Sequence, residues 1–211
     1  PGKAELTPLG IRVIELARAA LSTLDEIAGI AAGASGNLGG LIRLGVVPTF
    51  GPYFMPYLLP RLHEQYPDLE LYIREDRPTL LEASVIDGSS DCALAPAPVE
   101  SERFVFRELI VEELLLGMPA DHRLASAPSI APQMLQGERM LSLGSGHRLN
   151  DSVQELCRAS GAVRREGYEG TSLDAVRQMV SIGMGLSLFP EFYAASEFSR
   201  QSSVVLRRIE G

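Results

Sequence analysis

Apolar residues at the start of the chain recur at helical steps rather than alternating ones. Leu9, Val13, Leu16, Ala20, Leu24 and Ile27 are three or four positions apart, which predicts a long amphipathic helix with one apolar face. Thr7 supplies a cap and Pro8 suits the first turn. The drift between the two step lengths is that of a seam pairing with another helix; packing on its own domain is the alternative. A polar, Gly-rich break from Ala32 to Gly40 closes the segment.

From Leu41 onward, short apolar runs alternate with helical stretches. Leu41 to Val47 reads as a strand, and Thr49-Phe50-Gly51-Pro52 turns it into a helix reaching Tyr66, ended by Pro67-Asp68. Leu69 to Arg74 is the next strand, Thr79 to Asp87 a helix stopped at Gly88, and Cys92 to Ala95 a third strand expected to be buried. Strands separated by such helices predict parallel pairing through right-handed crossovers. A second block opens near Glu113, with strands at Leu114 to Met118, Met140 to Leu143 and Leu186 to Phe189. Helices follow Asp151 and Thr171-Ser172. Asp151, with Gln154 three residues on, is the expected cap of the first, and Gly161 its stop. The pattern predicts two βα lobes with a cleft between them.

Composition narrows the class without naming a chemistry. Hydrophobic residues are 45% and charged residues 22% of the 211, the proportions of an ordinary globular protein. A formal net charge of -8 gives the domain no footprint for nucleic acid, so any DNA contact is expected from elsewhere. No apolar run approaches the roughly 18 to 20 residues that span a bilayer. No membrane is expected, and no basic-then-apolar opening marks a signal peptide. Two cysteines, Cys92 and Cys157, are too few for a disulfide framework, and a reducing, cytoplasmic compartment is the expectation.

Candidate chemistry gathers at polar helix starts. Thr49, Asp151 and Thr171-Ser172 each stand where a strand or loop hands over to a helix. Those places lie at the carboxyl ends of strands, where free N–H groups favour anions or polar ligands. Ordinary capping explains each one alone. Enzyme signatures are lacking. Gly144-Ser145-Gly146-His147 lacks the glycine that a G-x-S-x-G elbow needs. None of His63, His122 and His147 has a second histidine at i, i+4 to make a metal-binding pair, and no dinucleotide or phosphate loop occurs. No catalysis, cofactor or metal is expected. Cys92 reads as a small core residue, and Cys157, beside Arg158, as either packing or a reactive thiol.

The order of these segments resembles the LysR-type transcription regulators. Glu5-Leu6-Thr7-Pro8-Leu9-Gly10 is similar to the junction where that family leaves its winged helix-turn-helix for a linker helix. Leu44-Gly45-Val46-Val47-Pro48-Thr49, with Pro56 and Leu58-Leu59-Pro60, is similar to the start of its effector-binding domain. Asp87-Gly88 with Asp91, Val180 to Gly185 and Leu188-Phe189-Pro190 resemble later landmarks. The resemblance implies a two-lobed, periplasmic-binding-protein-like regulatory domain preceded by a long linker helix. Its expected divisions are a dimerisation helix over 1–35 and regulatory subdomains over 38–112 and 113–211. It also implies a DNA-reading headpiece before Pro1 and a returning strand and helix after Gly211. Implied partners are promoter DNA through that headpiece, further copies in a homodimer or homotetramer, and RNA polymerase. A solute-binding protein of the same two-lobed plan is the rival class, against which the leading helix argues.

Within the family, Pro48-Thr49-Phe50-Gly51-Pro52-Tyr53, Gly146-His147-Arg148-Leu149-Asn150-Asp151 and Gly170-Thr171-Ser172-Leu173 resemble the branch that senses hydrogen peroxide. The resemblance places Arg148 at the peroxide-reactive cysteine and Cys157 at the resolving one. It gives Thr49, His147 and Asp151 roles in positioning peroxide and activating the thiol. Pro78 departs from a lining threonine, with Thr79 adjacent; Thr171 and Ser172 complete the implied pocket. A guanidinium cannot become a sulfenic acid and stays charged, so a disulfide between 148 and 157 is chemically impossible. Three readings remain. Arg148 overfills a pocket made for cysteine and locks the switch, it clamps an anionic effector, or it is an exposed loop residue without a role.

Overall fold

The strand–helix alternation after residue 38 is realised in the computed structural model. It describes Thr7, Pro8, Gly10, Arg12, Val13 and Ala17, and residues 38–97, 105–165, 172–198 and 203–210. Most of the expected leading helix, with Leu9, Leu16, Ala20, Leu24 and Ile27, lies outside the described residues. Pro8, Gly10, Arg12, Val13 and Ala17 are helical, and Thr7 Oγ1 accepts the Gly10 N–H at 3.1 Å. Thr7 is thus the cap that the sequence predicts.

The chain divides into two compact units, Pro1–Val47 with Met55–Phe106 and Pro48–Phe54 with Arg107–Gly211. In the first, β1 (Gly40–Val46) lies between β2 (Leu69–Glu75) and β3 (Cys92–Leu94) and runs parallel to both. The connections contain α1 (Gly51–Gln65) and α2 (Pro78–Ile86), as parallel neighbours require. Leu44, Val46 and Met55 are the buried centre, with Leu58, Leu59, Ile73 and Leu94 packed on it. Gly45 permits α2 to approach β1, since a Cβ there would stand 2.8 Å from Leu81 Cδ2. Gly88 ends α2 in a left-handed turn (φ 74°). Cys92 corrects an expectation: it is exposed, not buried. β3 is the outer strand of its sheet, with a described neighbour on one side only.

The second unit holds a four-stranded sheet in the order β5-β9-β4-β8. Its strands are β4 (Leu114–Pro119), β5 (Ser129–Ile130), β8 (Ser187–Pro190) and β9 (Val204–Ile209). β4 is antiparallel to β8 and β9, while β5 runs parallel to β9. A parallel pair, β6 (Arg139–Met140) and β7 (Val163–Arg164), joins at the bridge Met140 to Leu186. The expected strand from Met140 to Leu143 is therefore shorter: beyond the Leu141 N–H bond to Leu186 O the run leaves the ladder, though it stays buried.

Three helices pack on this sheet, α3 (Arg148–Ser160), α4 (Leu173–Ser181) and α5 (Glu191–Glu197). Their buried faces join Leu116, Met118, Leu143, Val176, Phe189 and Tyr193 in one core. That sheet is tightly fitted around Gly117, where a Cβ would come 2.5 Å from the Phe189 ring.

Two segments, 48–54 and 107–112, depart from the sequence boundary at 112 and 113. Both, expected within the first subdomain, belong to the second unit. For 48–54 the cause is aromatic: the rings of Phe50 and Phe54 lie 5.5 and 5.7 Å from Phe192, and Tyr53 lies 5.0 Å from Tyr193. Edge-on aromatic contacts of this kind add to the apolar area they bury.

Candidate functional site

The start of α3 collects most of the expected sensing residues. Leu141 to Gly144 run buried out of β6, and Ser145-Gly146 make an exposed turn in which Gly146 takes φ 85°. His147 follows in extended conformation and is only 2% exposed. Arg148 is the first helical residue. The helix thus begins three residues before the expected cap. His147 holds the cap position without a side-chain cap bond, and Asp151 sits one turn inside. The left-handed Gly146 reverses the chain early, which removes the need for an Asp151 cap.

Charge is arranged unevenly at this helix start. Asp151 lies in the first turn, where a carboxylate suits the helix dipole, whereas the Arg148 cation does not. The two pair at 3.9 Å between Arg148 Nη1 and Asp151 Oδ2. The Arg148 side chain remains 28% exposed and that of Asp151 61%, so the pair adds little stability. An arginine swallowed by a cysteine-sized pocket is not what the geometry shows.

Cys157 lies on the same helix, half-buried against the core. Nine residues of α-helix rise roughly 13 Å and turn through about two and a half revolutions, so positions 148 and 157 face opposite sides. Burial pushes the Cys157 thiol up, and the Arg164 guanidinium pulls it partly back. Less thiolate is then present at neutral pH than for a free cysteine. In a Cys92→Ser background, iodoacetamide should label Cys157 about tenfold or more slowly in the native protein than in denaturant. Arg164→Ala should slow the native rate further. Equal native and denatured rates at matched pH would contradict this placement.

The other expected residues are distributed. Thr49 is half-buried in the turn before α1, where the Phe50 carbonyl accepts the first helical N–H bonds from Tyr53 and Phe54. Ser172 caps α4, its Oγ accepting the Ala175 N–H at 3.3 Å, and Thr171 lies outside the described residues. Thr79 is exposed, second in α2 behind Pro78, and belongs to the first unit. Thr49, His147, Arg148, Asp151, Cys157 and Ser172 all belong to the second.

Two buried polar residues, Ser142 before α3 and Asn150 in its first turn, escaped the sequence reading. Among the described residues, Ser142 Oγ and Asn150 Oδ1 have no hydrogen-bond partner, an arrangement that costs on the order of 1–3 kcal/mol per group. Asn150 stands in a loop-like polar run, and only the early helix start reveals that it turns inward. A network linking α4 to α5 was also missed. The Tyr193 hydroxyl donates to Asp174 Oδ1 at 2.8 Å and accepts from Arg177 Nε at 3.1 Å. Elsewhere an open cavity of about 380 Å³ is lined by Leu115, Ala127, Pro128, Leu206 and Arg207. There the Arg207 guanidinium is bonded to the carbonyls of Ala125, Ala127 and Leu206.

Known proteins share this arrangement over nearly the whole chain. The family model of the LysR substrate binding domain matches residues 35–211. The chain is 32% identical over 204 residues to the DNA-binding transcriptional dual regulator OxyR of Escherichia coli K12, covering 97% of this chain and 67% of that protein. It is 31% identical over 196 residues to a probable hydrogen peroxide-inducible genes activator of Mycobacterium leprae, covering 92% and 63%. Among solved structures, the oxidised form of OxyR aligns with a TM-score of 0.72 at 33% identity, covering 81% of this chain and 80% of that one. A peroxide-bound Cys-to-Ser mutant of Corynebacterium glutamicum OxyR aligns at 0.81 and 29% identity, covering 97% and 64%. The chain spans about two thirds of the curated relatives it matches. With the family model matching residues 35–211 and this breadth of likeness, it belongs to the LysR-type regulators through their substrate-binding, or regulatory, domain.

Proposed function

We propose that this chain senses a signal for a LysR-type transcription regulator of the OxyR kind, and that the thiol–disulfide step is absent from it. The observation that carries the reading is Arg148 at the first turn of α3, half-exposed and ion-paired, with Cys157 on the opposite side of the same helix. A guanidinium offers peroxide no oxidisable sulfur. The regulator binds promoter DNA through a preceding headpiece, works in the cytoplasm as a dimer or tetramer that engages RNA polymerase, and catalyses nothing. Its subdomains divide near residues 38 and 106, apart from the 48–54 segment.

The test uses the full-length regulator in a reporter strain lacking other peroxide sensors. Promoter output and footprint should be the same with and without hydrogen peroxide. A peroxide response abolished by Cys157→Ser would refute the reading.

A second reading concerns the effector, and the accessibility of Arg148 favours it. A partly exposed guanidinium at a helix start, in the same unit as the α4 start, suits an anion held by paired N–H donors and charge. Carboxylate and phosphate compounds that raise the melting temperature of the wild type, and no longer do so in Arg148→Ala, would support it. A screen in which no such compound stabilises the protein would count against it.

A further inference from the structure

The chain passes between its two units at three places, after Val47, after Phe54 and after Phe106. The segments beside these crossings, 48–54 and the extended run from 107 to 113, meet at the first turn of α5. Phe192 is the meeting point. Its N–H donates to Glu112 Oε1 at 2.9 Å, and the neighbouring Glu191 N–H donates to Glu113 O at 3.0 Å. Its ring stands edge-on to Phe50 and Phe54, which themselves stack 4.7 Å apart. Glu113 is further tied by its carboxylate to Arg208 on β9, 3.2 Å away.

We infer that Phe192 is an anchor post, the residue that fastens both connecting segments, 48–54 and 107–113, to one element of the second unit. The backbone bond holds the later connection and the ring holds the earlier one. α5 is in turn tied to α4, because Tyr193, next in sequence, hydrogen-bonds Asp174 one turn from the Ser172 cap. A displacement at the α4 start would therefore reach both connections through one short helix. Most of the run from 105 to 111 is exposed apolar chain, including Val105, Leu109 and Val111. It has no strand pairing among the described residues, so the bonds of Glu112 and Glu113 are what fix its course.

Hydrogen exchange on the full-length regulator tests this without effector or DNA, so the outcome does not depend on the functional reading above. Phe192→Ala keeps the backbone N–H that Glu112 accepts, so it should speed exchange at the Tyr53 and Phe54 amides by about tenfold or more while the amides at 191 and 192, β4, β8 and β9 stay protected. Phe198→Ala serves as the control: it removes ring contacts with Phe189 and Tyr193 and should leave both connections at wild-type rates. Glu112→Ala, which keeps every ring, should speed exchange of the Phe192 amide that donates to it and leave Tyr53 and Phe54 unchanged, and it stands in if Phe192→Ala does not fold. Unchanged exchange at Tyr53 and Phe54 in Phe192→Ala, or an unchanged Phe192 amide in Glu112→Ala, would each overturn the proposal.

Discussion

Arg148→Cys should give the protein a peroxide-driven intrachain disulfide that the wild type cannot form, and closing it should melt the first turns of α3. A thiol at the first helical position faces unsatisfied N–H groups, which favour the thiolate. Its attack on hydrogen peroxide breaks the O–O bond, leaving a sulfenic acid and releasing water. The Cys157 thiol then condenses with that sulfenic acid, releasing a second water. Geometry sets the condition for the last step. The helix separates positions 148 and 157 by roughly 13 Å along its axis, whereas disulfide Cα atoms stand about 5.5–6 Å apart. The bond cannot close while residues Arg148–Ser160 remain helical. Intact mass should show the loss of two hydrogens in the variant and none in the wild type. Circular dichroism should show helix lost with the oxidation and restored by reductant. A disulfide formed with no loss of helix would contradict the α3 geometry, and a wild-type protein losing the same mass would contradict the assignment of Arg148.

The limits of the sequence show where tertiary structure decides. Local signals carried far: Thr7 caps as expected, Gly88 and Gly161 take the left-handed conformations that stop their helices, and Ser172 caps α4. The parallel order around β1 followed from helices inserted between strands. Short elements did not declare themselves. α5 has seven residues and β5 two, too few for a period to emerge. The α3 start was misplaced because Arg148 and Asn150 are polar and read as loop, although Asn150 turns inward. The attachment of 48–54 to the second unit could not be read locally at all. It depends on Phe50 and Phe54 meeting Phe192, far along the chain. The candidate site was legible as motifs through the family resemblance. What Arg148 does there needed its exposure and its pairing with Asp151.

Tyr193 should prove the most sensitive single position for stability in the second unit. It is fully buried, its ring lies 5.0–5.8 Å from Tyr53, Phe189 and Phe198, and its hydroxyl joins Asp174 and Arg177. Truncation to alanine removes the ring from a filled core, a change that costs about 3–5 kcal/mol. For a chain of this length that lowers the melting temperature by roughly 2–4 °C per kcal/mol, or about 10 °C in all. Tyr193→Phe keeps the packing and loses the hydroxyl. Its cost should be near 1 kcal/mol, because the half-exposed Asp174 regains water. The gap between the two variants separates packing from hydrogen bonding. Alkaline pH offers an independent check. Burial, with the Asp174 acceptor, holds the Tyr193 phenol above its ordinary value. Its contribution is complete below about pH 10, where an unfolded tyrosine titrates, and is lost as the pH climbs toward the raised folded value. Wild type should therefore lose stability above that point more steeply than Tyr193→Phe. Parallel alkaline unfolding curves, or a Tyr193→Phe cost equal to that of Tyr193→Ala, would show that the phenol is not held in this way.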